Sequence, residues 1–420
     1  MKQARVELSR DQSIVAVFLV ALLTRGFLWL RTAPGPLVGD ALEYREYARH
    51  LYESGRYMGP EGAFATRMPG YPLFLAAVHF IGGDSPAALI AAQCILGAIT
   101  CVLLWDLARR LLGDEWGLLC GLAAGAYADL MTAAVAPLSE SLYSFFLVLS
   151  VWALYHEDWK PRVRAAAYGL LSGCLYLVRP EPLPYIVCTC LLMPYLWAKF
   201  TRKEVLTGLA GFALVMGVWV GRNFAQLGTP VPASTVGKNV GYLSLYLPAY
   251  KLGLAGERYS APEGLDELSR DAAFAVEWKR LAATLTWPQI VKCYAYNLAS
   301  ILYPFLPAYD WTYAFLFPFF LAGSWLAARR KELWPLAGAV LCSLTVFTFF
   351  GGYASRYRQG ISPFIVLLAM AGLQAARDRF GSARLRRAAG AWLALNIGIL
   401  ILQPQARELA LRLRGAAWGH

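Results

Sequence analysis

The chain has 420 residues, 58% of them hydrophobic and only 16% charged, and a mean hydropathy of +0.45. A chain this apolar cannot close around a water-soluble core, so it is expected to be an integral membrane protein. Its net charge of +12 sits in short clusters at alternate ends of apolar segments rather than in one stripe or tail. That pattern reads as membrane topology and excludes a nucleic-acid surface.

The first apolar segment, 13–30, has no small-residue cleavage site and is expected to stay as a span rather than leave as a signal peptide. Arg25 lies inside it, either snorkelling to the interface or paired with Asp40 or Glu140. Further segments long enough to cross, or nearly so, are 87–107, 116–134, 138–156, 165–178, 183–198, 205–221, 311–328, 333–350, 361–376 and 388–403. The basic clusters Lys2/Arg5/Arg10, Arg109/Arg110, Lys160/Arg162/Arg164, Lys199/Arg202/Lys203, Arg329/Arg330/Lys331 and Arg377 through Arg387 are assigned to the cytoplasmic side. The result is an all-α polytopic protein of about eleven transmembrane helices, amino terminus inside and carboxyl terminus outside.

Two outward segments are long. The first, 31–86, opens with Gly39-Asp40-Ala41-Leu42-Glu43-Tyr44, and the apolar residues Tyr44, Tyr47, Ala48, Leu51 and Tyr52 then recur at helical spacing. This predicts an interfacial amphipathic helix over 44–57, followed by a second interfacial helix over 72–81, which is too short to span. The second outward segment, 222–310, has nearly balanced charge and a turn-rich start at Gly228-Thr229-Pro230-Val231-Pro232, and is expected to be a partly helical cap. The organisation is thus a transmembrane catalytic module over 1–221, an extracytoplasmic region over 222–310 and C-terminal transmembrane helices over 311–420. No internal repeat is visible, and the eight scattered cysteines form no CxxC pair, so neither a disulfide framework nor a zinc ribbon is expected.

The chemistry lies on the outward side. Asp40 and Glu43, three apart, share a helix face and can accept a proton or coordinate a divalent ion; the ordinary alternative is a solvated acid or a helix cap. Glu140, in Leu138-Ser139-Glu140-Ser141-Leu142, opens an apolar segment where a carboxylate needs a cavity or a partner, or else serves the helix dipole. The cations there are Arg67, Arg179, Arg222 and the pair Arg356/Arg358. Arginine's planar fork suits a phosphate, although snorkelling explains each one singly. Tyr44 and Tyr357 are candidates for substrate contact; the aromatics of the outer segments include Tyr242, Tyr246 and Tyr250, and most of that set is expected to form an interfacial belt, with a few left to stack on a sugar ring or guide a prenyl tail, which ones not being told by spacing. The four histidines make no metal motif.

Gly39-Asp40, Arg67-Met68-Pro69-Gly70-Tyr71-Pro72-Leu73-Phe74-Leu75-Ala76, Leu138-Ser139-Glu140, Leu177-Val178-Arg179-Pro180-Glu181, Arg222-Asn223 and Arg356-Tyr357 together resemble the integral-membrane GT-C glycosyltransferases. The resemblance runs from about residue 13 to about 370 and is nearest to the bacterial relatives of the protein O-mannosyltransferases and of the lipid A aminoarabinose transferases. It implies a GT-C fold in the cytoplasmic (inner) membrane, with an active site that faces outward between the first outer loop and the bundle. The implied donor is a polyprenyl-phosphate sugar, and the implied reaction is inverting transfer to a hydroxyl of a lipid, glycan or protein acceptor. By position Asp40 matches the family's catalytic acidic residue, Glu140 its second acid and Arg67 a cation near the donor phosphate. The large soluble domain of the eukaryotic protein mannosyltransferases is not in this sequence, which counts against a protein acceptor.

A lipid phosphate leaves readily without a metal, so no cofactor is required, and a divalent ion between Asp40, Glu43 and Glu140 stays open. Two other classes compete, a lipid-linked sugar transporter and a cell-envelope scaffold. Spans that are almost purely apolar apart from Arg25 weigh against the first, and acids gathered on one side weigh against the second.

Overall fold

The computed structural model describes residues 8–32, 35–302, 310–351 and 356–417, with side chains up to residue 402. Every regular element among the described residues is a helix. The first segment is α1 (Arg10–Arg31), which begins at a capping box in which Ser9 and Gln12 accept each other's backbone N–H. The two short helices expected in the first outer segment are α2 (Asp40–Ser54) and α3 (Gly70–Gly82). They are followed by α4 (Pro86–Leu112), α5 (Asp114–Gly125), α6 (Ala128–Val135), α7 (Glu140–Tyr155), α8 (Pro161–Val178), α9 (Leu183–Leu196) and α10 (Arg202–Leu227).

The second outer segment folds as α11 (Gly237–Lys251), α12 (Glu267–Thr284) and α13 (Trp287–Leu302), and then come α14 (Trp311–Ala327) and α15 (Trp334–Phe350). A single turn, α16 (Arg356–Gln359), leads into α17 (Ser362–Phe380) and α18 (Ser382–Ala417).

The predicted spans lie on these helices, with two corrections. The segment 116–134 is not one straight helix but two, α5 and α6, bent by 48° at a short break. Among the described residues, five helices are long and apolar enough to cross a bilayer, or six if the bent pair counts as one. Others predicted as spans are shorter. At 1.5 Å per residue, the 16-residue α7 reaches about 24 Å against a hydrocarbon thickness of about 30 Å.

The break explains Arg25, which pairs with neither Asp40 nor Glu140. Its Nη1 donates to the carbonyls of Ala21 (2.9 Å) and Gly125 (3.2 Å), and Thr24 Oγ1 also donates to Gly125 (2.6 Å). Interrupting the helix at Gly125 frees carbonyls in an apolar setting, where an unpaired polar group costs several kcal/mol, and Arg25 supplies the missing donors. The cap differs from expectation as well. Tyr242 and Tyr246 are buried against Phe274 inside it rather than lying in an interfacial belt, because helices α11 and α12 need a core of their own.

The bundle has two chemically distinct ends. At one, Arg10 approaches Asp106 (3.7 Å), Asp106 also pairs with Arg109 and Arg110, Arg164 donates to the Leu154 carbonyl, and Arg377 pairs with Glu115. This end gathers the described basic clusters. The opposite end, where α7 begins and α8 finishes, carries α2, α3, α16 and the acidic residues singled out above.

Candidate active site

Two glycines set the site's backbone. Gly39, immediately before α2, has φ 55° and ψ −128°, a conformation that a side chain would strain, and this turns the chain so that Asp40 starts the helix. Gly70 begins α3 against the end of α8, where a Cβ would stand 2.7 Å from the Leu177 carbonyl. The motif around Gly70 therefore packs the start of α3, just after Arg67, against the end of α8, just before Arg179.

Asp40 and Glu43 do share a face of α2, and Arg67 bridges them, its Nη2 on Asp40 Oδ1 and its Nε on Glu43 Oε2, each at 2.7 Å. The second Asp40 oxygen takes Arg356 Nη2 at 2.6 Å, and Arg356 Nε lies 3.0 Å from Glu140 Oε1. The same Glu140 oxygen receives Arg179 Nη1 at 3.1 Å, and Arg179 Nε reaches Glu181 at 2.6 Å. Charges thus alternate in one ladder, Glu43, Arg67, Asp40, Arg356, Glu140, Arg179, Glu181, with four carboxylates against three guanidiniums. It runs inward from Glu43, whose side chain is 37% exposed, to Glu140, which is 1% exposed.

Burial alone would raise the Asp40 carboxyl, but the guanidinium of Arg67 and then that of Arg356 outweigh it and hold it below the usual carboxylate range. The second oxygen of Glu140, Oε2, is buried and has no hydrogen-bond partner among the described residues. Aromatic rings frame the cations. Arg67 sits 5.4 Å from the Tyr44 ring centre, and Arg179 lies among Tyr143, Phe347 and Tyr357 at 5.9, 5.4 and 5.8 Å. Tyr44 is buried edge-on to Tyr71, and Tyr357 stacks on Phe347, so both line the ladder.

Two of the predicted cations stand elsewhere. Arg222 does not reach the ladder but donates to the carbonyls of Tyr57 and Phe64 under the Tyr57 and Trp219 rings. From the cap, Glu267 accepts the N–H groups of Phe64 (2.9 Å) and Ala65 (3.0 Å) and the hydroxyl of Thr235 (2.8 Å). Together they splint the loop that delivers Arg67. Arg222→Ala and Glu267→Ala should therefore weaken the site alike, each raising proteolytic cutting within 57–66 about tenfold, the equivalent of roughly 1.4 kcal/mol of local opening. Limited proteolysis measures this, and a change in only one variant would contradict a shared splint. Arg358 points away from the ladder, into a second cluster.

The acids as arranged do not fit a divalent ion. Arg67 and Arg356 stand between Asp40, Glu43 and Glu140, and no group of three or more His, Cys, Asp or Glu side chains suited to a metal occurs among the described residues. Sequence reasoning passed over Glu181, visible two residues from Arg179, and Glu267, which no local pattern marks because the loop it holds, at Phe64 and Ala65, is about 200 residues away.

Residues 66–221 match the dolichyl-phosphate-mannose-protein mannosyltransferase family. No curated protein sequence matches the chain. Among solved structures the chain is similar to the archaeal oligosaccharyltransferase AglB of Archaeoglobus fulgidus, seen with an inhibitory peptide and a dolichol-phosphate, at a TM-score of 0.50 and 13% identity. The likeness covers 93% of this chain and 54% of that one, so the chain spans about half of AglB's length. ArnT of Cupriavidus metallidurans gives TM-scores of 0.42 without ligand and 0.40 bound to undecaprenyl phosphate, at 14% and 16% identity over 88% of this chain and 80% of that one. The expected resemblance stands: the chain has the fold of the integral-membrane GT-C glycosyltransferases and is similar, over residues 66–221, to the dolichyl-phosphate-mannose-protein mannosyltransferase family.

Proposed function

We propose that this chain is a glycosyltransferase of the cytoplasmic membrane that moves a sugar from a polyprenyl-phosphate donor to an acceptor hydroxyl on the outer face, with inversion. The observation that carries the reading is the ladder itself, in which Asp40 is held between two arginines at the end of the bundle opposite the basic clusters. The positive-inside rule puts that end outside. The segment similar to the mannosyltransferase family and the dolichol-phosphate in AglB support a lipid-phosphate donor.

In this mechanism the donor phosphate exchanges with carboxylate oxygens on Arg67 and Arg356, since both anions fit the same guanidinium fork. Asp40, released from at least one arginine, becomes a better base and takes the proton from the acceptor hydroxyl. The acceptor oxygen bonds to the anomeric carbon on the face opposite the phosphate while the carbon–phosphate-oxygen bond breaks. Its electron pair leaves with the lipid phosphate, whose growing charge the two arginines stabilise. Glu140 Oε2, unpaired and buried, is placed to accept from a sugar hydroxyl and to face the positive character at the anomeric carbon.

The test is sugar transfer by the purified protein in proteoliposomes from a defined polyprenyl-phosphate sugar. Arg67→Ala should raise the donor KM about tenfold or more with little change in melting temperature, and Arg67→Lys should restore part of the loss. Unchanged donor KM and turnover in the alanine variant would remove Arg67 from the phosphate site, and no transfer by the wild-type protein would remove the assignment.

A further inference from the structure

The cluster around Arg358 takes no part in this chemistry, yet its arginine is more deeply buried than any in the ladder. Arg358 is 3% exposed. Its Nε and Nη2 donate to Asp129 Oδ2 (2.7 Å) and Oδ1 (3.2 Å), and Nη2 also donates to Asp310 Oδ2 (2.6 Å). The guanidinium lies 3.9 Å from the centre of the Tyr313 ring, and Asp129 further accepts from Ser362 Oγ at 2.9 Å. A phosphate cannot reach this arginine without displacing two carboxylates, one of them buried.

What the cluster joins gives its purpose. Asp129 belongs to α6, the second half of the broken span, and Asp310 is the N-cap of α14, where its Oδ1 accepts the N–H groups of Thr312 and Tyr313. Both grip α16, a helix of four residues, far too short to hold a shape through its own hydrogen bonds. Residues two apart on a helix point about 200° apart. On α16, accordingly, Arg356 faces Asp40 and Glu140 while Arg358 faces Asp129 and Asp310.

We propose that Asp129, Arg358 and Asp310 form a clamp that fixes α16 and thereby the reach of Arg356 toward Asp40, Glu140 and the donor phosphate. They are positioning residues. The proposal rests on the assignment of Arg356 to the phosphate site.

Asp310→Asn separates the clamp from the helix cap, because Asn caps α14 as well as Asp does but removes one of the two charges on Arg358. The experiment measures the Kd for polyprenyl phosphate and the transfer rate in four purified proteins: wild type, Asp310→Asn, Arg356→Ala and the double variant. Thermal unfolding is measured in parallel.

Asp310→Asn should cost about 10- to 100-fold in transfer, as expected of a displacement on the order of 1 Å, and should weaken polyprenyl phosphate binding. In the Arg356→Ala background the same change should cost less than about twofold, since nothing remains to be positioned. Arg358→Lys, which keeps the charge but loses the fork, should match Asp310→Asn. Additive losses in well-folded proteins would overturn the clamp. An Arg356→Ala protein with normal binding and transfer would instead withdraw Arg356 from the phosphate site, and the clamp's purpose with it.

Discussion

Asp40→Asn should lower sugar transfer by roughly 100-fold or more, because it removes the proton acceptor while preserving shape and volume. The fold should survive. Arg67 keeps Glu43 and Arg356 keeps Glu140, so neither guanidinium is left without a carboxylate. Donor binding should hold or tighten, since both arginines are then freer to take phosphate oxygens. Asp40→Glu should fail too, because the ladder fixes the carboxylate between two cations and one methylene moves it by about an ångström.

The pH dependence of the wild-type enzyme follows from the same contacts. A carboxyl held below its ordinary 3.8 stays charged as pH falls from neutrality, so its ion pairs with Arg67 and Arg356 persist until the solution is more acid than that value and weaken only below it. An acid limb near pH 6 in kcat/KM, which reports the free enzyme, would therefore belong to another group. Transfer at the normal rate by a well-folded Asp40→Asn protein would return the base assignment to Glu43 or Glu140.

Much of this site was legible along the chain, and what stayed hidden has a physical pattern. The polar residues next to apolar segments stood out because an acid such as Glu140 in that setting demands a partner, and the partners proved to be Arg179 and Arg356, arginines already visible beside the ends of apolar segments. Pairing itself was not legible. Arg356 meets Asp40 across 316 residues, and nothing in either local pattern encodes that contact.

Arg222 and Arg67 looked alike in sequence, each a lone cation at an apolar boundary. One splints a loop through backbone carbonyls and the other bridges two acids. The break in 116–134 was missed because Ala126 and Tyr127 carry no proline or charge to mark it, and its consequence, the capture of the Gly125 carbonyl by Arg25, follows from the break alone.

The largest effect on stability should come from the inner end of the ladder. Arg179 is the partner of Glu181, whose side chain is 8% exposed, and it shares Glu140 with Arg356. Arg179→Met fills much of the same space but strands Glu181 and takes the ladder from four acids against three arginines to four against two. Leaving one member of a buried pair uncompensated costs about 3–5 kcal/mol, which thermal unfolding in detergent would register. By contrast Arg67, nearer solvent and bridging two half-exposed acids, should affect donor use more than fold.

The deficit has a predictable pH dependence. Burial raises the Glu181 carboxyl above its ordinary 4.5 and Arg179 opposes that rise, so without Arg179 the group climbs further. A carboxyl whose folded value lies above its unfolded one stabilises the fold in its protonated form, and that contribution is lost as pH rises through the folded value. The variant should accordingly recover part of its melting temperature as the buffer is taken from neutrality toward about pH 5. Arg179→Met combined with Glu181→Gln should recover most of it at neutral pH, because the pair is then removed as a unit. A single variant as stable as the wild type at neutral pH would mean that Glu181 is already protonated in the folded protein, and that the ladder ends at Arg179.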